Sequence, residues 1–428
     1  MRCEICGFDP CETPGFCESA RRADAAKINT NWIGLCVMSD GKSPKPLPIV
    51  ENAYVALAND PKLTTAYRFD AMLRKPMLVN SGPRPVTDDD TIDLQRYLQR
   101  AGLKRISRDT TFDAVCNYAM DHQYHPIRDW LEELEWDGVE RLSRWLEHYL
   151  GAEDNDYTQT IGRLFLISMV ARIMRPGCKA DHMLILEGPQ GILKSTVCRV
   201  LAGDEYFSDN MPDLSLGKEC SIHLAGRWLL EIPEMHAFSR VDATRLKSFM
   251  STDVERYRPV YARADVDEPR QCVFIGTSNK ESYLRDETGG RRFWPVKCGK
   301  IDIEALRSDR AAILAEAMAA FQAGEPWWPS PEFQASHIGP EQEKRFEFDE
   351  WDNAIADYLH ASTFDEITTA QVAKGALSIE GGKLDMLTQK RVAAIMYRHG
   401  WIRRVANSRR SWQRPPSASP PPDDDTSY

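Results

Sequence analysis

A short segment between two apolar runs combines the residue types that bind phosphate groups. Residues 183–186 read Met-Leu-Ile-Leu and residues 197–201 read Val-Cys-Arg-Val-Leu, which predicts a strand before the segment and a helix after it. Its glycines let backbone N–H groups approach an anion, while its lysine offers a cation to the terminal phosphates and its serine offers a hydroxyl to Mg²⁺. The segment consists of Gly188, Pro189, Gln190, Gly191, Ile192, Leu193, Lys194, Ser195 and Thr196. It predicts a binding site for a nucleoside triphosphate.

One position departs from the general pattern G-x-x-x-x-G-K-[ST], because Leu193 stands where the pattern has glycine. We expect the loop to keep its fold if the φ angle of Leu193 is negative. Gly191 would then provide the close backbone approach. The departure puts the affinity for nucleotide in question.

An acidic strand follows at residues 228–234, Trp-Leu-Leu-Glu-Ile-Pro-Glu. Hydrolysis of a nucleoside triphosphate needs one carboxylate that holds Mg²⁺ and another that orients or deprotonates the attacking water. We assign Glu231 to the metal and Glu234 to the water, with the reverse order left open. The alternative is a pair of surface carboxylates at the end of a strand.

Two further features lie downstream at the spacing that such a site requires. The apolar strand at residues 271–278 ends in Asn279, an amide that can sense the γ-phosphate, although strands also end in Asn for turn formation. A Gly-Gly turn then leads to Arg291 and Arg292, which can reach a triphosphate within the subunit or across an interface, as arginine fingers do. A salt-bridged turn is the alternative interpretation of these two arginines.

Length and composition fit an ordinary globular protein. The chain has 428 residues, of which 42% are hydrophobic and 28% are charged. Its net charge of −10 argues against a uniformly basic nucleic-acid surface, although a local basic surface remains compatible with it. The longest apolar run, residues 164–170, is too short to span a membrane, and the N-terminus has no signal-peptide pattern, so we expect a cytoplasmic protein.

Changes in composition along the chain predict six zones. They are a Cys-rich segment at 1–40, an α-rich adaptor domain at 41–150, the nucleotide-binding domain at 151–325, an acidic helical linker at 326–359, a small module at 360–414 and a disordered tail at 415–428.

The order of these motifs resembles the virulence-associated E family of P-loop ATPases, which occur in phages, prophages and mobile elements. The resemblance covers roughly residues 90–325 and rests on the segments 187–196, 228–235, 246–251, 255–261 and 274–296, of which the last, with Thr-Gly-Gly-Arg-Arg-Phe-Trp-Pro-Val, is the most specific. The family is similar to superfamily-three helicases and to the helicase halves of phage primase–helicases.

The resemblance implies an α/β fold. Its core would be a P-loop NTPase of the AAA+ or superfamily-three helicase type, with a mixed α/β N-terminal region. It also implies ATP as ligand, Lys194 and Ser195 on phosphate and Mg²⁺, Glu231 and Glu234 as the acidic pair, Asn279 as phosphate sensor and Arg291 or Arg292 as finger. In related ring helicases a hairpin at residues 255–263 points into the channel and grips single-stranded nucleic acid. The residues that would do so here are Arg258, Tyr261 and Arg263. The alternative is that these side chains face the nucleotide or a neighbouring subunit.

The C-terminal module has the outline of a winged helix. Helical patterns begin at Thr368 and Thr388, and residues 401–405 and 411–412 can pair as a hairpin. Between Met386 and Pro422 there is no Asp or Glu, which favours DNA binding, with a solvated basic face as the alternative. The candidate DNA contacts are Lys390, Arg391, Arg403, Arg404, Arg409 and Arg410.

The chain has eleven cysteines, and those from Cys116 onward lie among apolar residues, which predicts buried reduced thiols. The N-terminal cysteines are more closely spaced, and their thiols are soft metal ligands. They are Cys3, Cys6, Cys11 and Cys17. They fit a tetrahedral Zn²⁺ site, although the loose spacing leaves reduced bystander thiols open.

The preferred function is a Mg²⁺-dependent ATPase that acts on DNA as a ring-forming replicative helicase of a mobile element. Single-stranded DNA would occupy the central channel, and a hexamer is one candidate ring size. One alternative is a nucleotide-gated DNA-binding initiator that loads other replication proteins without unwinding. Another is a primase or the helicase part of a primase–helicase system with a separate primase partner, although residues 1–150 show no paired acidic motif for polymerisation.

Overall fold

The computed structural model describes residues 28–414, apart from 81, 236–239, 259–263, 281, 285–289, 347–349, 363, 381–383 and 407–408. It divides the chain into two compact units, Met1–Arg345 and Phe346–Tyr428. The N-terminal cysteines predicted to bind zinc, the tail at 415–428, Tyr261 and Arg263 all lie outside the described residues. The zone boundaries predicted within each unit stay predictions.

The first unit begins with a small mixed α/β region. A sheet with strand order β3-β2-β1-β4 packs against helices around the buried side chains of Trp32, Leu57 and Leu98. Its elements are α1 (Val50–Asn59), β1 (Tyr67–Asp70), β2 (Lys75–Leu78), β3 (Arg84–Pro85), α2 (Asp88–Ala101), α3 (Arg108–Asp121) and β4 (Gln123–Tyr124). A capping box begins α2, because Thr87 accepts from Asp90 N while the Asp90 carboxylate accepts from Thr87 N.

A parallel sheet with strand order β11-β5-β10-β7-β6 forms the centre of the first unit. The strands are β5 (Met183–Glu187), β6 (Phe207–Ser208), β7 (Leu229–Ile232), β10 (Val273–Ser278) and β11 (Phe293–Lys297). β5, β7 and β10 are buried along their whole length, as expected for parallel strands covered on both faces. Because side chains alternate, Leu184 and Leu186 enter one core while Met183 and Ile185 enter another.

Helices cover both faces of this sheet. The core on the first face includes side chains of α4 (Pro126–Glu133), α5 (Trp145–Leu150), α6 (Asp156–Met174), α7 (Lys194–Ala202) and α10 (Ile303–Gln322). The core on the second face includes side chains of α8 (Lys218–Leu224) and α9 (Arg240–Met250). An antiparallel pair, β8 (Val254–Tyr257) and β9 (Val266–Pro269), is inserted between α9 and β10. The unit ends with α11 (Pro331–Phe333), a π-helical turn at Gln334–Ile338, and α12 (Gly339–Lys344).

The second unit has its own core. α13 (Asp352–Ala361), α14 (Thr369–Leu377) and α15 (Met386–Arg398) enclose buried Val372, Ile395 and Trp412. A small antiparallel sheet has the order β12-β14-β13, with strands β12 (Glu366–Ile367), β13 (Ile402–Ala406) and β14 (Arg409–Gln413). The predicted hairpin is confirmed, with Arg403 opposite Trp412.

The prediction of buried reduced thiols from Cys116 onward is confirmed for four of the six cysteines. Cys198, Cys220, Cys272 and Cys298 are free and buried, whereas Cys116 and Cys178 are free and half-buried. Burial raises the pKa of the Cys298 thiol to about 12, which keeps it protonated and unreactive at neutral pH. Among the described residues no helix is both long enough and apolar enough to cross a membrane.

Candidate functional site

The predicted phosphate-binding loop connects the end of β5 to the start of α7. Gly188 and Gly191 have φ angles of 149° and 87°, and the turn ends at Leu193, which is the N-cap of α7. The first N–H groups of α7 therefore point toward the loop, where an anion would be favoured by both hydrogen bonding and the helix dipole. Lys194 is the first residue of the helix, as the sequence pattern predicted.

The expectation of a negative φ angle at Leu193 is wrong. Its φ and ψ angles are 75° and 21°, a left-handed conformation that costs a non-glycine residue about 1–2 kcal/mol. The turn into α7 imposes this geometry, so leucine occupies a glycine conformation instead of changing the path of the loop. Its side chain is 44% exposed, which leaves an apolar group at the mouth of the loop.

Lys194 is buried and holds the loop together. Its Nζ donates to the carbonyl oxygens of Gly188 at 2.7 Å and Pro189 at 2.8 Å, and to Oδ1 of Asn279 at 3.0 Å. Burial lowers the pKa of the Lys194 ammonium from its ordinary value. The loop and the end of β10, which lie far apart in sequence, therefore meet at one cation.

The acidic residue of β7 lies beside the same helix. Ser195 Oγ donates to Glu231 Oε1 at 2.7 Å, and Thr277 Oγ1 donates to the same oxygen at 2.8 Å. Glu231 is 1% exposed, and its second oxygen, Oε2, is buried without a hydrogen-bond partner. A buried carboxylate oxygen without a partner is costly unless a ligand completes it. The serine hydroxyl and the carboxylate are oxygen donors of the kind that Mg²⁺ prefers, so the residues present fit that ion.

Glu234 follows Glu231 beyond the end of β7 and is exposed. Its φ angle is 51°, which is uncommon for a non-glycine residue and costs on the order of 1 kcal/mol. Such strain tends to occur where a side chain must be held in one direction. Of the two carboxylates, only Glu231 contacts the serine of the loop, in agreement with its assignment to the metal side.

The two arginines lie at the opposite edge of the sheet. β11 runs parallel to β5, with Phe293 opposite Met183 and Lys297 opposite Glu187, so the 3₁₀ turn that carries Arg291 and Arg292 precedes both strands. At about 3.3 Å per residue, the length of β5 alone separates the turn from the loop by about 13 Å. The strand register therefore favours contact of these arginines across an interface over contact within the subunit.

The surroundings of Arg291 and Arg292 differ. Arg292 Nε lies 3.2 Å from Asp181 Oδ2, and the guanidinium is largely covered, whereas Arg291 is exposed. His182, next to Asp181, stacks on Trp294 with ring centroids 4.6 Å apart. Burial lowers the pKa of His182 to about 4, so the ring is neutral at pH 7.

The described candidate DNA contacts lie directly after β8, on α15, on β13 and on β14. Arg258 is exposed directly after β8. In the second unit Lys390, Arg403, Arg404 and Arg410 are exposed, and Arg409 lies in β14. Arg391 differs from these, because its guanidinium stacks on the Trp351 ring at 3.7 Å from the centroid. Arg391 therefore packs against its own unit.

Sequence reasoning missed the residues that orient the predicted ones. Thr277 and Asp181 are two of them, and the signal for Thr277 was a hydroxyl near the end of a mostly apolar strand, two residues before Asn279. A third is Glu187, the last residue of β5, which is 3% exposed and accepts from Tyr283 Oη at 2.7 Å and Arg345 Nη2 at 2.9 Å. Its signal was a carboxylate at the end of an apolar strand, directly before the first glycine of the loop.

Two solved structures resemble the fold at low sequence identity. The apo structure of the NrS-1 C terminal region is 16% identical, with 82% of this chain and 96% of that chain covered and a TM-score of 0.45. Its A form is 15% identical, with 86% and 99% covered and a TM-score of 0.44. No curated protein matches the chain.

A family model gives the more direct comparison. The virulence-associated protein E-like domain matches residues 131–347, just over half of the 428 residues. The matched range contains the loop after β5, the acidic strand β7, the strand that ends at Asn279 and the turn with Arg291 and Arg292. The family resemblance predicted from these motifs is confirmed, and the chain belongs to the virulence-associated protein E-like domain family.

Proposed function

We propose that this protein is a Mg²⁺-dependent ATPase that acts on DNA as a ring-forming helicase in the replication of a phage or mobile element. One observation carries the proposal. Lys194, Ser195, Glu231 and Asn279, which come from three separate segments of the sequence, meet at the end of β5 through hydrogen bonds of 2.7 to 3.0 Å. In this interpretation the parallel sheet is a P-loop NTPase core.

The phosphate groups would be bound by the loop and by Lys194. The lysine now donates to two loop carbonyls, and an arriving triphosphate offers it stronger, charged acceptors in their place. Asn279, which contacts the same ammonium, would then sense whether the terminal phosphate is present. The N–H groups at the start of α7 supply further donors.

Ser195 and Glu231 would hold Mg²⁺, and the ion would neutralise charge on the phosphates and on the leaving group. The unpartnered Oε2 of Glu231 supports this assignment. Glu234 would orient or deprotonate the attacking water. Its exposure at the end of β7 leaves room for a water molecule beside it.

A ring is part of the proposal because the candidate arginine fingers do not lie beside the phosphate loop of their own chain. The turn with Arg291 and Arg292 lies at the opposite sheet edge. A neighbouring subunit in a closed ring would bring its turn to this subunit's loop. Arg291 is the better finger, because Arg292 is already paired with Asp181.

DNA would be bound by two separate regions. The β8–β9 hairpin, with Arg258 after its first strand, fits single-stranded DNA in a channel. In the second unit α14 and α15 are followed by a hairpin, which supports the proposal of a winged helix, and Arg403, Arg404 and Arg410 are exposed cations on that hairpin.

The proposal is tested by measuring ATP turnover with and without single-stranded DNA, together with the native mass of the protein. We expect Mg²⁺-dependent hydrolysis by an oligomer, stimulated by DNA. Lys194→Ala should remove it, whereas Lys104→Ala, which changes an exposed lysine distant from the loop in sequence, should not. The proposal fails if the purified protein neither binds nor hydrolyses ATP, or if Lys194→Ala retains full activity.

A further inference from the structure

Two buried side chains and one largely buried arginine meet directly before the phosphate loop. Glu187 is the last residue of β5, and Tyr283, which follows β10, donates its hydroxyl to Glu187 Oε1 at 2.7 Å. Arg345 is the last residue of the first unit, with Nε 3.0 Å from Glu187 Oε1 and Nη2 2.9 Å from Oε2. The carboxylate is therefore held by donors from two distant segments, and we call these three residues the Glu187 cluster.

The cluster adjoins the part of the loop that would change when a nucleotide binds. Glu187 directly precedes Gly188, whose carbonyl oxygen, like that of Pro189, accepts from Lys194 Nζ. In the proposed function a triphosphate takes the place of both carbonyls as the acceptor of the lysine. The loop then has two states, and Glu187 lies next to the carbonyls that differ between them.

The backbone of Arg345 holds a second segment. Its carbonyl oxygen accepts from Tyr283 N and from Leu284 N, both at 3.0 Å. Together with the Tyr283 hydroxyl, three hydrogen bonds fasten residues 283–284 to Arg345 or to its partner Glu187. Further along the chain, this segment leads to the turn that carries Arg291.

The helix before Arg345 holds the other end of that turn. Gln342 of α12 donates its side-chain amide to Phe293 O at 2.6 Å, and Phe293 directly follows the turn with Arg291 and Arg292. The chain is therefore fastened to α12 or to Arg345 both before and after the arginine turn. A displacement of Arg345 would act on both attachments.

The bonds within the cluster are directional. A guanidinium is planar and pairs with a carboxylate through two parallel N–H donors, so a rotation of the carboxylate turns the arginine with it. The side chains of Arg345 and Glu187 are 11% and 4% exposed, which leaves water little access to these bonds. Burial and the charge of Glu187 raise the pKa of the Tyr283 hydroxyl, which therefore stays a donor at neutral pH.

We propose that the Glu187 cluster transmits the state of a subunit's own phosphate loop to the arginine turn that this subunit presents to its neighbour. The inference rests on the proposed function. Arg345 and Tyr283 would be positioning residues, which act on the reaction through Glu187 and through the arginine turn. Nucleotide in one loop would then move Arg291 relative to the next subunit's site, so that hydrolysis is cooperative between subunits.

ATP turnover by the assembled full-length protein, measured over a range of ATP concentrations, tests the coupling. We expect a sigmoidal curve for the wild type, with a Hill coefficient of about 2 or more, because the state of each loop changes the next site. Arg345→Lys keeps the positive charge but lacks the paired donors, so the Hill coefficient should fall to about 1 while the maximal rate stays within about threefold. Tyr283→Phe, which removes only a hydroxyl and disturbs folding less, should also lower the Hill coefficient.

Arg163→Lys is the matched control, since Arg163 pairs with Glu325 through two bonds of 2.9 and 2.7 Å in the same unit and lies outside the cluster. It should keep the wild-type Hill coefficient. The coupling would be overturned, with the ATPase left in place, by a wild-type Hill coefficient of about 1, by one unchanged in both Arg345→Lys and Tyr283→Phe, or by an equal fall in Arg163→Lys. A wild type that hydrolyses no ATP or remains a monomer would overturn the proposed function, and the coupling with it.

Discussion

The two edges of the parallel sheet differ in how their polar groups are satisfied. At the edge where the strands end, Lys194 donates to backbone carbonyls, Glu231 keeps an unpartnered buried oxygen and Leu193 has a left-handed backbone. At the edge where the strands begin, Arg292 is paired with Asp181, whereas Arg291 is exposed.

In the proposed function, the two edges of one sheet would therefore supply two unlike parts of a site. The first edge holds strained and incompletely bonded groups, which a ligand would complete. At the second edge the Arg292–Asp181 ion pair is satisfied within the chain, and Arg291 is exposed. Variants at the two edges should therefore differ in their effects on turnover and on stability.

A mixing experiment should give the largest effect. Lys194→Ala and Arg291→Ala should each lower ATP turnover by about 100-fold or more, because each removes charge stabilisation of the reacting phosphate. A one-to-one mixture should recover about a quarter of the wild-type rate, since random assembly pairs two intact halves at about one contact in four. ATPase assays on the separate and mixed proteins measure this. A mixture as inactive as its components would contradict a site shared between subunits.

Glu231→Gln tests the first edge alone. It should lower Mg²⁺-dependent turnover by about 100-fold, because the amide cannot supply the negative charge that the metal requires, yet nucleotide binding should persist. Turnover and equilibrium nucleotide binding should be measured in parallel. Asp181→Asn is the comparison variant at the other edge and should change turnover by only a few fold. Equal effects would show that the two edges do not have separate tasks.

The folding stability contributed by His182, at the second edge, should decrease in acid. The folded pKa of His182, about 4, lies below the ordinary value of 6.5, so the unfolded chain binds more protons between these pH values. Stability from this group is complete above pH 6.5 and is lost as the pH falls, by about 2 kcal/mol between pH 7 and pH 5.

Denaturant unfolding at both pH values measures the loss. His182→Phe keeps a ring on Trp294 and should remove this part of the pH dependence. His148→Gln, a change at an exposed histidine, should leave it as in the wild type. If His182→Phe and the wild type show the same pH dependence, the buried neutral histidine is not its source.

Leu193→Gly should have the smallest effect on stability. Glycine relieves the left-handed strain but adds freedom to the unfolded chain, so a gain of less than about 1 kcal/mol is expected. Nucleotide affinity should rise several fold, because the loop no longer stores that strain.

Ser378→Gly is the control, since Ser378 has a φ angle of 58° at the end of α14, in the second unit. It should change stability similarly without changing nucleotide affinity. If Leu193→Gly also leaves the nucleotide affinity unchanged, the backbone strain at Leu193 affects the stability of the protein and not nucleotide binding.

The sequence by itself determined the local elements and the types of groups in the site. The loop and its helix start at Lys194, the N-cap at Thr87 and the hairpin after Gly400 each depend on residues close together in the chain, so short-range patterns were sufficient. The strand-end positions of Glu231 and Asn279 followed from apolar runs of the right length. The family followed from the order of these motifs.

Only the tertiary structure decided which of these groups meet. Strand order and register put Asn279 on Lys194 and Glu231 on Ser195, and the same register put Arg291 at the far edge, which spacing along the chain does not reveal. The φ angle of Leu193 was misjudged for a related reason, because the path between a buried strand and a packed helix overrides the preference of one residue. Contacts between distant segments depend on how whole elements pack, and that information lies in no single stretch of the sequence.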